Sequence, residues 1–210
     1  MRWLVADPTP PVSDLLALSR LILRFGQVHR VTLDAQGRPE SDTTHTVMLA
    51  LLAGALCEYE SVPLDREAVV ALALVHDLAE AYAGDVSTIR ALSVADANAK
   101  AHREEAALAR IREELAGLPW VVVLIDRYEA QACPESRWVR YLDKVLPKLT
   151  HRDNGCAVPR AAGMTLEEVI AQHAYQGAEL AARYPAFSFA RELFAAAIAD
   201  AESQWGVTRG

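Results

Sequence analysis

The feature that most constrains this chain is a group of ionisable residues at the end of an apolar helical pattern. Residues 68–75 form an unbroken apolar run, and His76, Asp77 and Glu80 follow it directly. No helix breaker intervenes, so the pattern predicts one helix over about residues 64–82. On such a helix His76 and Glu80 share a face, and Asp77 lies about 100° further round. Buried charges are costly unless they are paired or bind a metal, so this stretch indicates a functional site.

The composition is typical of a globular protein and excludes several classes of partner. The 210 residues fit one domain, and 52% of them are hydrophobic, with much Ala and Leu. The net charge of −7 argues against generic binding to nucleic acid polymers or anionic membranes. No apolar run reaches the roughly 20 residues of a membrane span or resembles a signal peptide. Cys57, Cys133 and Cys156 have no metal-type spacing and indicate free thiols, hence a cytoplasmic protein.

Helical periodicity predicts an all-α fold of about seven helices in a single domain over residues 1–210. Residues 1–11 are expected to form an N-terminal arm, 12–150 the core that carries the site, and 151–210 C-terminal helices. The pattern predicts helices and no strand.

The segments between the predicted helices are expected to be loops or irregular turns. Residues 27–44 lose the helical pattern and predict a long loop, and 151–164 predict a second one. Residues 85–97 are expected to be irregular. Residues 120–125 have the propensity of a strand, but a helix is favoured because the run continues without a turn. Ser13 or Asp14 is expected to cap the first helix, Asp42 or Thr43 the next, and Thr165 with Glu168 forms a capping-box pattern.

Four residues have the chemistry of a metal site. His45 lies at a predicted helix start, His76 and Asp77 are adjacent, and Asp143 lies beside the apolar face of a later helix. Two imidazoles and two carboxylates suit a divalent transition metal, which would lower the pKa of water toward neutrality. Each residue taken singly is explained more simply as a core or surface residue.

In this order the four residues resemble the H…HD…D signature of the HD-domain phosphohydrolases. The similarity is greatest to the bacterial 5′-deoxynucleotidase branch and covers about residues 30–149. The chain also carries that branch's shorter motifs: Arg-Pro-Glu-Ser at 38–41, His-Asp-x-x-Glu at 76–80, Gly-Asp at 84–85, Tyr-Glu-Ala at 128–130 and Leu-Asp-Lys at 142–144. The resemblance implies an HD-fold enzyme that removes the 5′-phosphate from (deoxy)nucleoside monophosphates.

The resemblance also implies residue roles. His45, His76, Asp77 and Asp143 would hold one divalent ion, which could be Mn, Co, Fe, Zn or Mg. Asp77 thereby belongs to the catalytic machinery, and Glu80 would be the general acid/base beside the attacking water.

The remaining implied roles concern the substrate. Arg30 would bind phosphate and Asp85 the sugar, while Arg90 is a weaker match to a substrate-binding cation. Val31 stands where relatives carry a Trp that helps to select deoxyribose, so this departure predicts weaker discrimination between sugars.

The sequence leaves structural alternatives open for these residues. Glu80 could be a helix-surface carboxylate and Asp85 a turn residue. Arg30 could pair with Asp34, and Asp126 is the main rival to Asp143 as fourth ligand. Glu129 could support the site or pair with Arg127. The remaining histidines have no partners at ligand spacing: His29, His102, His151 and His173.

Two other functions fit the same motif. A (deoxy)nucleoside triphosphate triphosphohydrolase would use the same four ligands, with Lys144, Lys148 and Arg152 as the extra cations for a longer phosphate chain. A catalytically silent regulator would bind a nucleotide without hydrolysing it, but it would not need Glu80. The expected partner is a small nucleotide, and the resemblance also allows a homodimer.

Overall fold

The computed structural model describes residues 11–86, 89 and 92–207. Within these ranges the chain is helical apart from one two-stranded hairpin, which confirms the all-α class. The predicted N-terminal arm, except Pro11, lies outside the described residues, and so does Arg90.

The elements are α1 (Val12–Phe25), β1 (His29–Leu33), β2 (Pro39–Ser41), α2 (Asp42–Leu56), a 3₁₀ turn (Cys57–Tyr59), α3 (Arg66–Val75), α4 (Glu80–Ala83), α5 (Val94–Glu114), α6 (Pro119–Ala130), α7 (Pro134–Asp153), α8 (Ala157–Ala161), α9 (Leu166–Arg183) and α10 (Ser188–Ser203).

Helix α7 forms the centre of the packing and contacts α2, α3 and α10. Trp138, Tyr141 and Leu142 on it are fully buried. The Trp138 indole donates a hydrogen bond of 3.0 Å to the carbonyl of Ala53 on α2. Burial of each such side chain contributes roughly 1.5–3 kcal/mol. A helix packed in this way holds the buried carboxylate of Asp143 in a fixed direction.

One continuous hydrophobic core joins the helices of residues 12–150 to the C-terminal helices of residues 151–210. It includes Leu21 of α1 and Leu49 of α2, and it also includes Leu180 of α9 and Phe194 of α10. The single-domain organisation over residues 1–210 stays a prediction. Across the described ranges, the helices are all too short or too polar to cross a membrane.

The prediction of one long loop over residues 27–44 was wrong, because β1 and β2 form an antiparallel hairpin there. His29 pairs with Ser41 and Leu33 with Pro39, so residues 30–32 lie opposite one residue of β2. Such a bulge re-aims side chains and hides the alternation by which a strand is recognised. The bulge carries Arg30 and Val31.

The turn of this hairpin uses the polar residues that had suggested a loop. The Asp34 carboxylate accepts the backbone N–H groups of Gln36 and Arg38, both at 2.9 Å. Gly37 has a φ of 77°, which is strained for other residues. The prediction of a turn here was therefore correct, but the turn connects two paired strands and is not part of a long loop.

The prediction of one helix over residues 64–82 was also wrong, because α3 ends at Val75. The Nδ1 of His76 donates to the carbonyl of Ala73 at 2.8 Å, the group that an α-helix offers to the N–H of Asp77. The chain tightens into a turn instead, in which the N–H of Glu80 bonds to the carbonyl of Asp77 at 2.8 Å. Helix α4 then ends at Gly84, whose φ of 75° redirects the chain.

Other boundaries depart in smaller ways. Helix α5 begins at Val94, inside the stretch expected to be irregular, because the Ser93 hydroxyl caps it through the N–H of Asp96. The predicted loop 151–164 contains α8 and the end of α7. The helix interpretation of residues 120–125 is confirmed by α6, and the capping box at Thr165 is present.

The first two predicted caps were assigned to the wrong residues. Helix α1 follows Pro11 without a side-chain cap, and Asp14 instead accepts the N–H of Gly117 at 2.6 Å. Helix α2 is capped by Ser41, whose hydroxyl accepts the N–H of Thr44. This leaves the carboxylate of Asp42 free to point elsewhere.

Candidate metal centre and active site

The fold brings the four predicted ligands together from four different places. His45 lies in the first turn of α2, His76 at the end of α3, Asp77 in the following turn and Asp143 on α7. One ligand atom from each lies within 4.8 Å of all the others. Opposite ligands of a six-coordinate ion stand about 4.2 Å apart, so the cluster has the dimensions of one metal site.

The orientation of His76 suits a metal ligand. Its Nδ1 donates to the Ala73 carbonyl, so Nε2 presents a lone pair in the neutral ring. That Nε2 is buried without a hydrogen-bond partner in the described structure. It lies 2.8 Å from Oδ2 of Asp77, which is also an acceptor when ionised. Two converging lone pairs of this kind are what a cation would satisfy.

His45 is oriented in an equivalent way by a carboxylate. Its Nδ1 is 3.1 Å from Oε1 of Glu40, and its Nε2 is 3.0 Å from Oδ1 of Asp143. A ligand histidine bonded to a carboxylate through its other nitrogen is a recurrent arrangement at metal sites. The residues present therefore fit a divalent metal ion.

The charges around Asp143 keep this candidate ligand ionised. Burial raises the pKa of Asp143, but Lys144 and His45 outweigh it and hold the pKa well below the usual range. Burial lowers the pKa of His45, but its hydrogen bonds with Asp143 and Glu40 raise the pKa to about 9. A metal at this site would compete with that proton.

Arg30, which β1 projects into the site, is surrounded by acidic side chains. Its Nη1 lies 2.7 Å from Oδ2 of Asp77, 3.3 Å from Oδ1 of Asp42 and 3.9 Å from Oε2 of Glu80. Burial lowers the pKa of Arg30, but attraction to Asp77 and its acidic neighbours raises it overall. The guanidinium is therefore a fixed positive charge beside the four ligands.

The observed hydrogen bonds contradict two of the structural alternatives, namely a pair between Arg30 and Asp34 and the use of Asp126 in place of Asp143. Asp34 bonds to Arg38 at 2.8 Å, so it is not the partner of Arg30. Asp126 bonds to Arg112 at 2.8 Å on an exposed face and does not belong to the ligand cluster.

Glu80 is buried rather than at the helix surface, with 8% of its area exposed. Burial and the negative charges of Asp77 and Asp42 raise its pKa to about 10. Burial likewise raises the pKa of Asp42 to about 6. A carboxyl group that holds a proton near a metal site can act in proton transfer.

Sequence reasoning assigned no role in the site to Asp42 and Glu40. Asp42 is fully buried and lies three residues before His45 on α2, which places both on one helix face. Glu40 is the inward residue of β2 and orients His45. The i, i+3 spacing could have indicated Asp42, but Glu40 required knowledge of the hairpin.

Two cavities adjoin the ligand cluster. The first, which we call the acidic cavity, exposes Glu80 and Asp77 and is closed by Tyr128, Glu129 and Arg140. Glu129 thus lies near the site as one alternative predicted. Its other expected partner, Arg127, instead bonds to Glu135 at 2.9 Å.

The second, which we call the long cavity, runs from Arg30 and Asp143 toward α9 and contains Val31 and Asp85 on its wall. Val31 is 45% exposed. The carboxylate of Asp85 accepts the backbone N–H of Val31. Asp85 is therefore hydrogen-bonded to the backbone, as expected for the turn residue of the structural alternative. It also lines the long cavity.

Comparisons with known proteins agree with this geometry. The family model of the HD domain matches residues 23–183. The 5′-deoxynucleotidase HDDC2 of Danio rerio is 31% identical over 116 residues, which cover 51% of this chain and 52% of the relative. The human 5′-deoxynucleotidase HDDC2 is 32% identical over 142 residues, covering 62% and 63% respectively. The chain thus spans 52% and 63% of the length of these two curated relatives.

Solved structures show the same fold. The crystal structure of a predicted metal-dependent phosphohydrolase from Magnetospirillum magnetotacticum MS-1 has a TM-score of 0.69 and 26% identity, over 93% of this chain and 96% of that one. The PH0347 protein of Pyrococcus horikoshii OT3 has a TM-score of 0.55 and 19% identity, over 90% and 99%.

The four His and Asp residues that converge from α2, from the end of α3 and its following turn, and from α7 lie within the matched residues 23–183. By this match and by its fold, the chain belongs to the HD domain family.

Proposed function

We propose that this protein is a metal-dependent phosphohydrolase that removes the 5′-phosphate from (deoxy)nucleoside monophosphates. The observation that carries the proposal is the convergence of two histidine Nε2 atoms and two carboxylates beside the buried Glu80 and Arg30. The names of the relatives, 5′-deoxynucleotidase and metal-dependent phosphohydrolase, support the same reaction class.

In this proposal His45, His76, Asp77 and Asp143 hold one divalent ion, of which Mn, Co, Fe, Zn and Mg are the candidates. When bound, the ion supplies Lewis acidity and activates water near neutral pH. Glu40 and the Ala73 carbonyl fix the histidine rings through their Nδ1 atoms.

The other side chains act on phosphate and protons. Arg30 places donors beside the cluster and stabilises the charge that develops on the phosphoryl oxygens. A carboxyl oxygen of Glu80 exchanges a proton with the attacking water or with the leaving 5′-oxygen. Asp85 and Val31 lie on the side of Arg30 where the sugar would follow the phosphate.

The triphosphate alternative is supported by only one of its three expected cations. Arg152 is already paired with Asp153 at 3.3 Å and with Asp200, and Lys144 is paired with Asp143 at 2.9 Å. Lys148 lines the long cavity and, within the described part of the chain, is the one that stays available among the three. The regulator alternative does not account for a buried Glu80 next to the ligands. A homodimer and a cytoplasmic location remain predictions.

A substrate panel tests the phosphate count. The purified protein should be assayed with mono-, di- and triphosphates of nucleosides and deoxynucleosides, with Mn²⁺, Co²⁺, Mg²⁺ and Zn²⁺ supplied in turn. We expect inorganic phosphate from monophosphates to give the highest kcat/KM. Release of tripolyphosphate from a triphosphate at a higher kcat/KM would reverse the assignment.

The half-exposed Val31 leads to a prediction about the sugar. Valine covers less of an adjacent sugar than an aromatic ring does. We therefore expect weak discrimination between a deoxyribo- and a ribonucleoside monophosphate of the same base, and we expect Val31→Trp to increase the ratio of their kcat/KM values. Val31→Ala is the control for general disturbance of the bulge. An unchanged ratio in Val31→Trp would place the sugar elsewhere.

A further inference from the structure

The proposed chemistry leaves the inner end of the long cavity unexplained. The cavity begins at Arg30 and Asp143, but it continues between α7 and α9 to Lys148, His151 and Gln176. These three side chains do not belong to the ligand cluster, and the proposed mechanism gives them no task.

The spacing on α7 determines how far the inner end lies from the chemistry. Asp143, Pro147 and His151 recur every fourth residue, and Lys144 and Lys148 form a parallel row, so one helix face lines the cavity. At 1.5 Å per residue, Lys148 and His151 lie roughly 7.5 and 12 Å along the axis from Asp143. This is too far for a phosphate held at the metal site, but it is comparable with the length of a mononucleotide.

Lys148 is a buried cation without an acidic partner. Only 8% of its area is exposed, and the ion pairs found among the described residues do not include its ammonium group. Burial and the neighbouring Lys144 lower its pKa to about 8, so it is still largely protonated at neutral pH. A charge on a largely buried side chain is costly unless it is paired, and an acceptor on a bound molecule would relieve that cost.

His151 presents a second unsatisfied group to the same space. It is 6% exposed, and its Nδ1 has no hydrogen-bond partner in the described part of the chain. Burial and nearby Lys148 lower its pKa to about 3, so the ring is neutral and offers one donor and one acceptor. Oε1 of Gln176 is likewise buried and unpartnered among the described residues. His173 differs, because its Nδ1 is 2.9 Å from Glu202.

The walls between these polar groups are apolar. The apolar side chains that line the cavity here are Val158 and Pro159 of α8, Met164 from the segment before α9, and Val169 of α9. The inner end offers a second phosphate one ammonium group and no arginine. For a planar heterocycle it offers apolar walls that contact the faces of the ring, and several hydrogen-bonding groups at the edge of the ring.

We propose that the inner end of the long cavity is a subsite for the nucleobase of the substrate, in which Lys148 and His151 bond to acceptor and donor atoms on the edge of the base. This inference rests on the proposed function. It makes Lys148 and His151 specificity-determining residues that act through binding of the leaving nucleoside, at a distance from the reacting phosphorus.

The test compares nucleotides that carry a base with a sugar phosphate that lacks one. Wild type, Lys148→Met and His151→Leu should be assayed with deoxynucleoside 5′-monophosphates of all four bases and with deoxyribose 5-phosphate. We expect each variant to lose roughly tenfold to a hundredfold in kcat/KM on its best nucleotide, mainly through KM, as for hydrogen bonds to charged or buried polar groups. Deoxyribose 5-phosphate should be hydrolysed equally by all three proteins.

A binding measurement that does not depend on turnover completes the experiment. Calorimetric titration of each protein with deoxynucleosides, which lack the phosphate, should show weaker binding in both variants than in wild type. Two variants keep the test valid should one fail to fold, which thermal melting would reveal.

The outcomes separate the two proposals. Equal losses on nucleotides and on deoxyribose 5-phosphate, or no loss on either, would overturn the base subsite while nucleotide hydrolysis by the wild type stands. Absence of nucleotide hydrolysis by the wild type in every metal would overturn the proposed function itself.

Discussion

Asp77→Ala is expected to abolish both the binding of a divalent ion and the hydrolysis of nucleotides. Oδ2 of Asp77 lies 2.8 Å from Nε2 of His76 and 2.7 Å from Arg30, at the centre of the ligand cluster. Substitution of groups that merely orient metal ligands already costs about 10- to 100-fold in metal affinity, so removal of a ligand should cost more. Loss of the ion also removes the activated water.

Metal content after dialysis and turnover should be measured together for Asp77→Ala and for Asp126→Ala. The latter removes an exposed carboxylate that pairs with Arg112 and should keep both properties. Added metal should raise the Tm of the wild type and of Asp126→Ala, because a ligand that binds the folded state stabilises it, but not that of Asp77→Ala. Metal loss in Asp126→Ala with retention in Asp77→Ala would show that the ligand set is wrong.

Glu80→Gln is expected to separate chemistry from metal binding. The amide has nearly the same size as the carboxyl group but cannot exchange a proton with water or with the leaving oxygen. Because Glu80 lies next to the ligands and is not one of them, metal content and Tm should remain close to the wild-type values. Turnover should fall by roughly 10²- to 10⁴-fold, the usual contribution of general acid–base catalysis.

Glu67→Gln on the exposed first turn of α3 is the matched control and should leave kcat unchanged. Loss of bound metal in Glu80→Gln would make Glu80 a ligand. Full activity with full metal content would remove it from the mechanism and would favour a role for another acid, such as Asp42, in proton transfer.

Residue type and position drew attention to the four members of the cluster, but only the resemblance to the HD-domain phosphohydrolases joined them into one ligand set, because each residue taken singly fits a core or surface role. His76 and Asp77 follow an apolar run, and Asp143 lies beside the apolar stripe of α7. The contacts made by these residues were not predictable. Arg30 approaches Asp77 because a bulged hairpin carries it there, and the pattern of residues 27–44 gave no sign of that hairpin.

The division of α3 and α4 shows the same limit in a local element. Residues 64–82 contain no breaker, so intrinsic propensity favours one helix. The hydrogen bond from His76 to the Ala73 carbonyl becomes favourable when the ring is held in the cluster, and it displaces the helical bond of Asp77. Tertiary contacts therefore overrode propensity at the site itself.

The sequence by itself determined the helical class, the capping box of α9, and the chemistry available at His45, His76, Asp77, Glu80 and Asp143. These features follow from periodicity and residue type, which act over a few neighbouring positions. Only the tertiary structure decided that Glu40 orients His45, that Asp42 joins the site, and that Lys148 and His151 line one cavity. Burial and pairing depend on residues far apart in the chain, and their energies are set by the surroundings that packing creates.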